Sequence, residues 1–259
     1  MFDANLAIEN IVNGLKVSNP SGKAVIGISG GKDSTVVAYL AVKAYGKENV
    51  VGVMMPNGEQ KDINDSKRVC ELLGIKNLTV NIGDAYKSLT GKICVNIMKD
   101  FADGNLKNEI PSQYSTNTPA RLRMTTLYGV AAILGGRVLN TCNLSESIIG
   151  WETYGGDGFG DYSPLGRLTV TEVILLGEAL GVPYDLIHKV PSDGMCGKSD
   201  EDKFGFTYDE LDKTIREDIQ GPHYDKICQM NKKSHFKHDQ IRLPTYNPKL
   251  HINEVFNWD

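Results

Sequence analysis

A strand-like run that ends in glycine and turns at once into a helix governs the first half of this chain. Lys23–Ser29 (KAVIGIS) is short, apolar and β-branched, and Ser34–Tyr45 follows with helical length and spacing. The pattern then recurs. Val50–Met55 predicts a second strand, Ile63–Leu73 a second helix stopped by Gly74, and Leu78–Ile82 a third strand. A helix over Arg121–Leu134 leads to a fourth strand at Arg137–Cys142. Short apolar strands alternating with helices imply an α/β fold, a parallel sheet covered by helices on both faces.

Beyond Ser145 the texture changes. Tyr154–Gly166 (YGGDGFGDYSPLG) is dense in glycine and acid and predicts a loop. Thr171–Leu180 predicts a short helix ended by Gly181, and the polar, glycine-bearing Ser192–Phe206 reads as either a lid or a surface linker. Thr207 followed three residues later by Glu210 is a capping-box pattern opening another helix. The tail from Lys232 to Asp259 has no clear assignment.

Size and charge narrow the function. A length of 259 residues suits one domain with helical additions. A formal net charge of -4 argues against a general nucleic-acid or membrane-surface binder. No apolar run approaches the ~18 residues of a membrane span, and the N-terminus lacks the order of a signal peptide, so a cytoplasmic location is expected. The cysteines Cys70, Cys94, Cys142, Cys196 and Cys228 are widely spaced and form no CxxC pair. They read as unpaired thiols rather than a disulfide or zinc framework.

The junction Gly27-Ile28-Ser29-Gly30-Gly31-Lys32-Asp33-Ser34 is where chemistry enters. A strand that turns directly into a helix presents unpaired backbone N–H groups and the positive end of the helix dipole, which together bind anions. Glycines allow close approach of phosphate oxygens, Ser29 and Ser34 add hydroxyls, and Lys32 adds charge. The Walker A pattern fails because Asp33 follows Lys32, and the G-x-G-x-x-G spacing is absent. An aspartate in a phosphate loop repels its ligand unless a cation lies between, so Asp33 implies Mg²⁺.

Ser-Gly-Gly-x-Asp-Ser resembles the PP-loop of the ATP pyrophosphatases, and four further segments resemble the ammonia-dependent NAD synthetases among them. These are Met55–Asp62 with Gln60, Asn117–Met124 with Asn117, Arg121 and Arg123, Thr141–Glu146, and Gly156–Asp161 with Asp157. Lys198–Asp212 (KSDEDKFGFTYDELD) is similar to the stretch where that family's lid ends and a helix begins. The resemblance implies an adenine-nucleotide α-hydrolase-like fold over residues 1–259, with a nucleotide-binding core of about 20–190 and a lid and helical part of about 191–259. It further implies that ATP and nicotinic acid adenine dinucleotide react through an acyl adenylate, which ammonia converts to NAD.

On the same resemblance, ATP is held by Gly27, Ser29, Gly30, Gly31, Lys32, Ser34, Gln60, Arg123, Thr141 and Ser192. The acid substrate meets Asn117, Arg121 and Asp157. Asp33 and Glu146 hold Mg²⁺, and Asp157 orients ammonia and takes its proton. The family's homodimeric state is expected here, as is the use of free ammonia, because no amidotransferase domain is evident. The family's lysine after Leu-Thr is Val170 in this chain, leaving Lys32, Lys189 or Lys198 as substitutes, and the terminal His-Lys-Arg survives only as Ser234–His238. The rival readings are a tRNA-modifying or small-acid-amidating PP-loop enzyme and a nucleotide sensor of the same layout.

Overall fold

The computed structural model describes residues 2–60, 63–100, 110–189, 199–239 and 246–256, with the side chains of 98–100 and 238–239 excepted. Four parallel strands lie in the order β3-β2-β1-β4, with β1 Ala24–Gly27, β2 Val50–Met54, β3 Lys76–Thr79 and β4 Arg137–Val138. Helix α1 (Ala4–Ser18) precedes the sheet, and α2 (Lys32–Tyr45), α3 (Ile63–Leu73), α4 (Gly83–Asp100) and α5 (Ser112–Leu134) connect its strands. Short helices follow β4: α6 (Leu144–Ile149), α7 (Val170–Ala179), α8 (Tyr184–Ile187) and α9 (Asp200–Phe204). The last are α10 (Tyr208–Glu217), α11 (Tyr224–Ser234) and α12 (Phe236–Asp239).

The strands alternate their side chains between two apolar layers, as the two-residue period of a strand requires. Ala24 and Ile26 of β1 pack with α1, α2 and α7, whereas Val25 packs with Val53, Met124, Leu127 and Val138 beneath α5. Helix α1 contributes a stripe at Ala7, Ile8, Ile11 and Leu15, and Asp3 caps it by accepting a bond from the Leu6 amide. Among the described residues, no helix is long and apolar enough to cross a membrane.

The strand order places the reversal of winding between β1 and β4. Open parallel sheets bind ligands at the carboxyl ends of the strands on either side of such a reversal. Gly27 leads there into α2, and Val138 leads into Asn140–Asn143 and α6.

Several expected boundaries move. Strand β4 is only two residues long, because Asn140 leaves the sheet: its N–H donates to the Tyr162 carbonyl (2.8 Å) and its side chain to the carbonyls of Asp157 and Phe159. The third strand is assigned over Lys76–Thr79, although the amides of Val80 and Ile82 still donate to Met54 and Pro56. Helix α5 starts at Ser112 rather than Arg121 and carries Pro119 inside it. Residues 199–206 of the expected lid contain a capped helix, α9, with Phe204 and Phe206 buried, and Ser192, Cys196 and Lys198 fall outside the described residues. At Thr207 only half the capping box forms. Thr207 accepts from the Glu210 amide, but the Glu210 carboxylate turns to the amide and ring of His223 instead.

The second half builds its own apolar cluster from Leu144, Ile148, Val170, Phe204, Tyr208, Leu211, Ile215 and Phe256. Gly150 ends α6 with φ +69°, and α11 presses against it so closely that a Cβ would lie 2.1 Å from Ser234 Cβ. Gly150→Ala therefore combines left-handed strain with overpacking, and we expect a loss of about 2–4 kcal/mol, read as a lower urea midpoint at unchanged slope.

Candidate active site

The phosphate loop is built by its own serines. The hydroxyls of Ser29 and Ser34 lie 3.1 Å apart, the Gly31 amide donates to Ser29 Oγ, and the Ser29 amide to Ser34 Oγ. Gly30 has φ +79°, and a Cβ there would lie 2.8 Å from Asp65 Cβ and 2.9 Å from the Ser66 amide. Glycine is thus required twice over, by conformation and by the close approach of α3. The first amides of α2, beginning at Lys32, have no carbonyl one turn earlier and point out of the helix end.

Asp33 stands at that end and is met by the segment after β4. Asn143 Nδ2 donates to Asp33 Oδ1 (3.0 Å). The same asparagine caps α6: its Oδ1 accepts from the Glu146 amide (3.0 Å), and its own amide donates to Glu146 Oε2 (3.0 Å). One residue thereby ties the two acidic positions together. It is missing from the sequence reading, although Asn143-Leu144-Ser145-Glu146 carries the N-x-x-E signature of a capping box.

The pair concentrates negative charge in a buried place. Burial pushes the Glu146 carboxyl well above the usual range, and the neighbouring Asp33 pushes it further. Lys32 answers that charge from inside the protein. Its side chain is buried, its Nζ lies 2.9 Å from Asp33 Oδ2 and 5.6 Å from the Tyr208 ring centroid, and its pKa is raised against the desolvation that would lower it. Lys32 therefore points into the acidic cluster. Tyr208 beside it has a buried hydroxyl with no partner among the described residues.

Asp212, the last acid of the Thr207–Asp212 helix start, has a framework role. It accepts from Ser145 Oγ (2.5 Å) and from the amide and hydroxyl of Thr171 (2.7 Å each), while the Val170 amide donates to Ser145 Oγ. Val170 itself is buried in the apolar cluster, where a lysine would be out of place. Of the substitutes considered, Lys32 is committed to Asp33, and Lys189 pairs at 2.6 Å with Asp65, the residue that abuts Gly30.

The Gly/Asp-rich loop closes the other side. The Thr153 amide donates to Asp157 Oδ1 (2.6 Å), and Thr153 Oγ1 donates to Asn117 Oδ1 (3.1 Å). Arg121 Nε donates to the Tyr154 carbonyl (3.1 Å), and Arg123 Nε to the Met55 carbonyl (3.0 Å) at the end of β2. The two arginines diverge as their spacing requires, one to the acidic loop and one to the β2 edge. Asp157 is reached by solvent, yet enough protein surrounds it to push its carboxyl up. Asp161 serves the fold instead, accepting the Val138 amide (2.8 Å). Gln60 follows β2 and Thr141 follows β4, and both are half-buried.

Among the described residues, no cluster of three or more His, Cys, Asp and Glu side chains forms a ready metal cage. Two hard-oxygen carboxylates beside a phosphate loop do suit Mg²⁺, which takes one or two carboxylates and completes its shell with substrate phosphates and water. The raised Glu146 carboxyl and the inward-drawn Lys32 show the same unspent negative charge.

Known proteins resemble this chain over most of its length. The family model of NAD synthase matches residues 6–241. The NH(3)-dependent NAD(+) synthetase of Pyrococcus horikoshii is 40% identical over 216 residues, which is 83% of this chain and 79% of that protein. The solved structure of NMN synthetase from Francisella tularensis superposes with a TM-score of 0.82 at 31% identity, covering 95% of this chain and 100% of that one. That of the NH3-dependent NAD synthetase from Campylobacter jejuni superposes at 0.72 and 22% identity, over 94% and 99% of the two chains.

Asn143→Ala removes a helix cap and the tie between the acids. We expect a stability loss of about 1–2 kcal/mol in denaturant melts, whereas Asn143→Ser, which can still cap, should recover most of it.

Proposed function

This chain belongs to the NAD synthase family and is an ATP-dependent amide-forming ligase, and we propose that its cleft amidates nicotinic acid adenine dinucleotide with ammonia, releasing AMP and pyrophosphate. The observation that carries this reading is the joining of Asp33 and Glu146 through Asn143 at the mouth of the phosphate loop. A binding module has no need of two acids held against a triphosphate. Family membership also sets aside the tRNA-modifying and sensor readings.

In this account the amides of α2 and the hydroxyls of Ser29 and Ser34 receive the β- and γ-phosphates, with Gly27, Gly30 and Gly31 giving them room. Lys189 stands next to the loop but is paired with Asp65, so the loop amides and hydroxyls carry the contacts that a lysine at Val170 would have shared. Asp33 and Glu146 are the residues that would hold Mg²⁺, which when bound neutralises the phosphates and favours departure of pyrophosphate. Arg123, Gln60 and Thr141 line the ATP side, while Asn117 and Arg121 hold the acid. The carboxylate attacks the α-phosphorus, and ammonia then displaces AMP from the acyl adenylate beside Asp157. Donors already in place where charge develops provide most of the rate gain. We also propose a homodimer whose partner completes the substrate site.

A second reading rests on a specific observation: the Francisella tularensis NMN synthetase superposes more closely than the Campylobacter jejuni enzyme, at higher identity. The acid would then be nicotinate mononucleotide, with the same loop chemistry. Purified protein given ATP, Mg²⁺ and ammonium with either acid distinguishes the two by kcat/KM for the amide formed. NAD formation at the higher kcat/KM supports the dinucleotide reading. Asp33→Ala should lower kcat/KM by about 10²–10³ with either acid. Amide from neither acid, with Asp33→Ala releasing pyrophosphate at the wild-type rate, would sink the assignment.

A further inference from the structure

Lys32 belongs to the phosphate loop by sequence, yet its charge is spent inside the protein. It opens α2, its side chain is only 4% exposed, and its Nζ lies 2.9 Å from Asp33 Oδ2. The ammonium stands over the Tyr208 ring, 5.6 Å from the centroid, a cation–π contact in a place largely closed to water. Tyr208 in turn meets Phe204 edge-on at 5.3 Å, and both rings are buried. Glu146 of α6 and Asp200 of α9 are the other acids whose charge acts on the ammonium.

Asp33 is the residue that this pairing changes. Its Oδ1 already accepts from Asn143 Nδ2 (3.0 Å) and its Oδ2 from Lys32 Nζ. A carboxylate oxygen has lone pairs for two partners, so neither oxygen is closed by its first one. Charge is the stronger restriction. Mg²⁺ sits about 2.1 Å from a carboxylate oxygen, so an ion on Oδ2 would stand no more than about 5 Å from the ammonium. Two cations that close repel strongly, and burial of the lysine keeps salt from screening them. The same ammonium acts in the opposite sense on an ion that arrives with its phosphates. A triphosphate carries more charge than the divalent ion it binds, so the complex as a whole is an anion and is attracted.

We propose that Lys32 is a resident counter-cation that withholds Asp33 and Glu146 from free divalent ions, so that the ion enters only as its complex with the triphosphate. The proposal rests on the reading that these two acids hold the ion. Lys32 is a positioning residue here, since it acts through Asp33. The consequence is a site that empties with its product. When pyrophosphate leaves with its ion, the ammonium is already in place to neutralise Asp33, and no bare pair of acids remains to hold the metal back.

The test uses Mn²⁺, whose free form is counted by paramagnetic resonance, and α,β-methylene-ATP, which cannot be split between its α- and β-phosphates. Wild type should bind free Mn²⁺ weakly and Mn²⁺ with the analogue tightly, the latter being lost in Asp33→Asn. Lys32→Gln should bind free Mn²⁺ about tenfold more tightly, yet bind the complex of Mn²⁺ with the analogue no more tightly than wild type does. A loop merely loosened by the substitution would weaken both. Lys32→Arg, which keeps the charge, should stay at the wild-type affinity for free Mn²⁺. Melting supplies a second reading that survives a weakly folded variant. Without metal Lys32→Gln should melt below wild type, because its acids are unneutralised, and it should gain more from millimolar Mn²⁺ than wild type gains. A free-Mn²⁺ affinity unchanged or weakened in Lys32→Gln, a gain undiminished when Asp33→Asn is added, or no larger melting gain than wild type overturns the proposal. Analogue-dependent Mn²⁺ binding that is indifferent to Asp33→Asn overturns instead the reading of the acids as the ion's ligands.

Discussion

One asparagine side chain holds the two halves of the cleft in register. The phosphate loop belongs to β1 and α2, and the second acid belongs to the segment after β4; Asn143 donates to the first and caps the helix of the second. Because β1 and β4 are sheet neighbours and the winding reverses between them, their carboxyl ends come together without any long loop to bring them there. The sheet sets the coarse distance and the asparagine sets the fine one.

Concentrating carboxylates in this way has a cost. Asp33, Glu146, Asp157, Asp200 and Asp212 all act on the buried groups around Tyr208 and Lys32, and burial makes each unneutralised charge more expensive. The chain answers with means of its own. Asp212 is consumed by Ser145 and Thr171, Asp157 by the amide of Thr153, and Lys32 is folded inward onto Asp33. What is left over is concentrated on Glu146, where a cation between protein and phosphate would offset it. Lys32 thus serves the acids more than the phosphates, which alters the part its sequence position suggests.

The phosphate junction was legible because its signal is local. Strand, glycines and helix start adjoin in the chain, and no distant contact is needed to read them. The parallel sheet was legible for the same reason, and so were the divergent directions of Arg121 and Arg123. The fourth strand misleads, because Asn140 abandons the ladder to hold the loop at Asp157 and Phe159, a long-range demand that periodicity cannot express. The early start of α5 was hidden by Pro119, which reads as a stop but is tolerated within the helix. Val170 looked like a lost lysine and is a packing residue among Leu144, Tyr208 and Leu211. Lys237 meets the carbonyls of Gly150 and Glu152 only through the fold, so the anchoring of the tail could not be seen from its sequence neighbours.

In the proposed reaction a carboxylate attacks the α-phosphorus of ATP at the loop that Asn143 joins to α6. Transfer of a heavy-oxygen label tests it most directly. With label in the carboxylate of the acid substrate, one labelled oxygen should appear in the phosphate of the AMP released and none in pyrophosphate. Label in pyrophosphate or inorganic phosphate, or amide formed with unlabelled AMP, would contradict it.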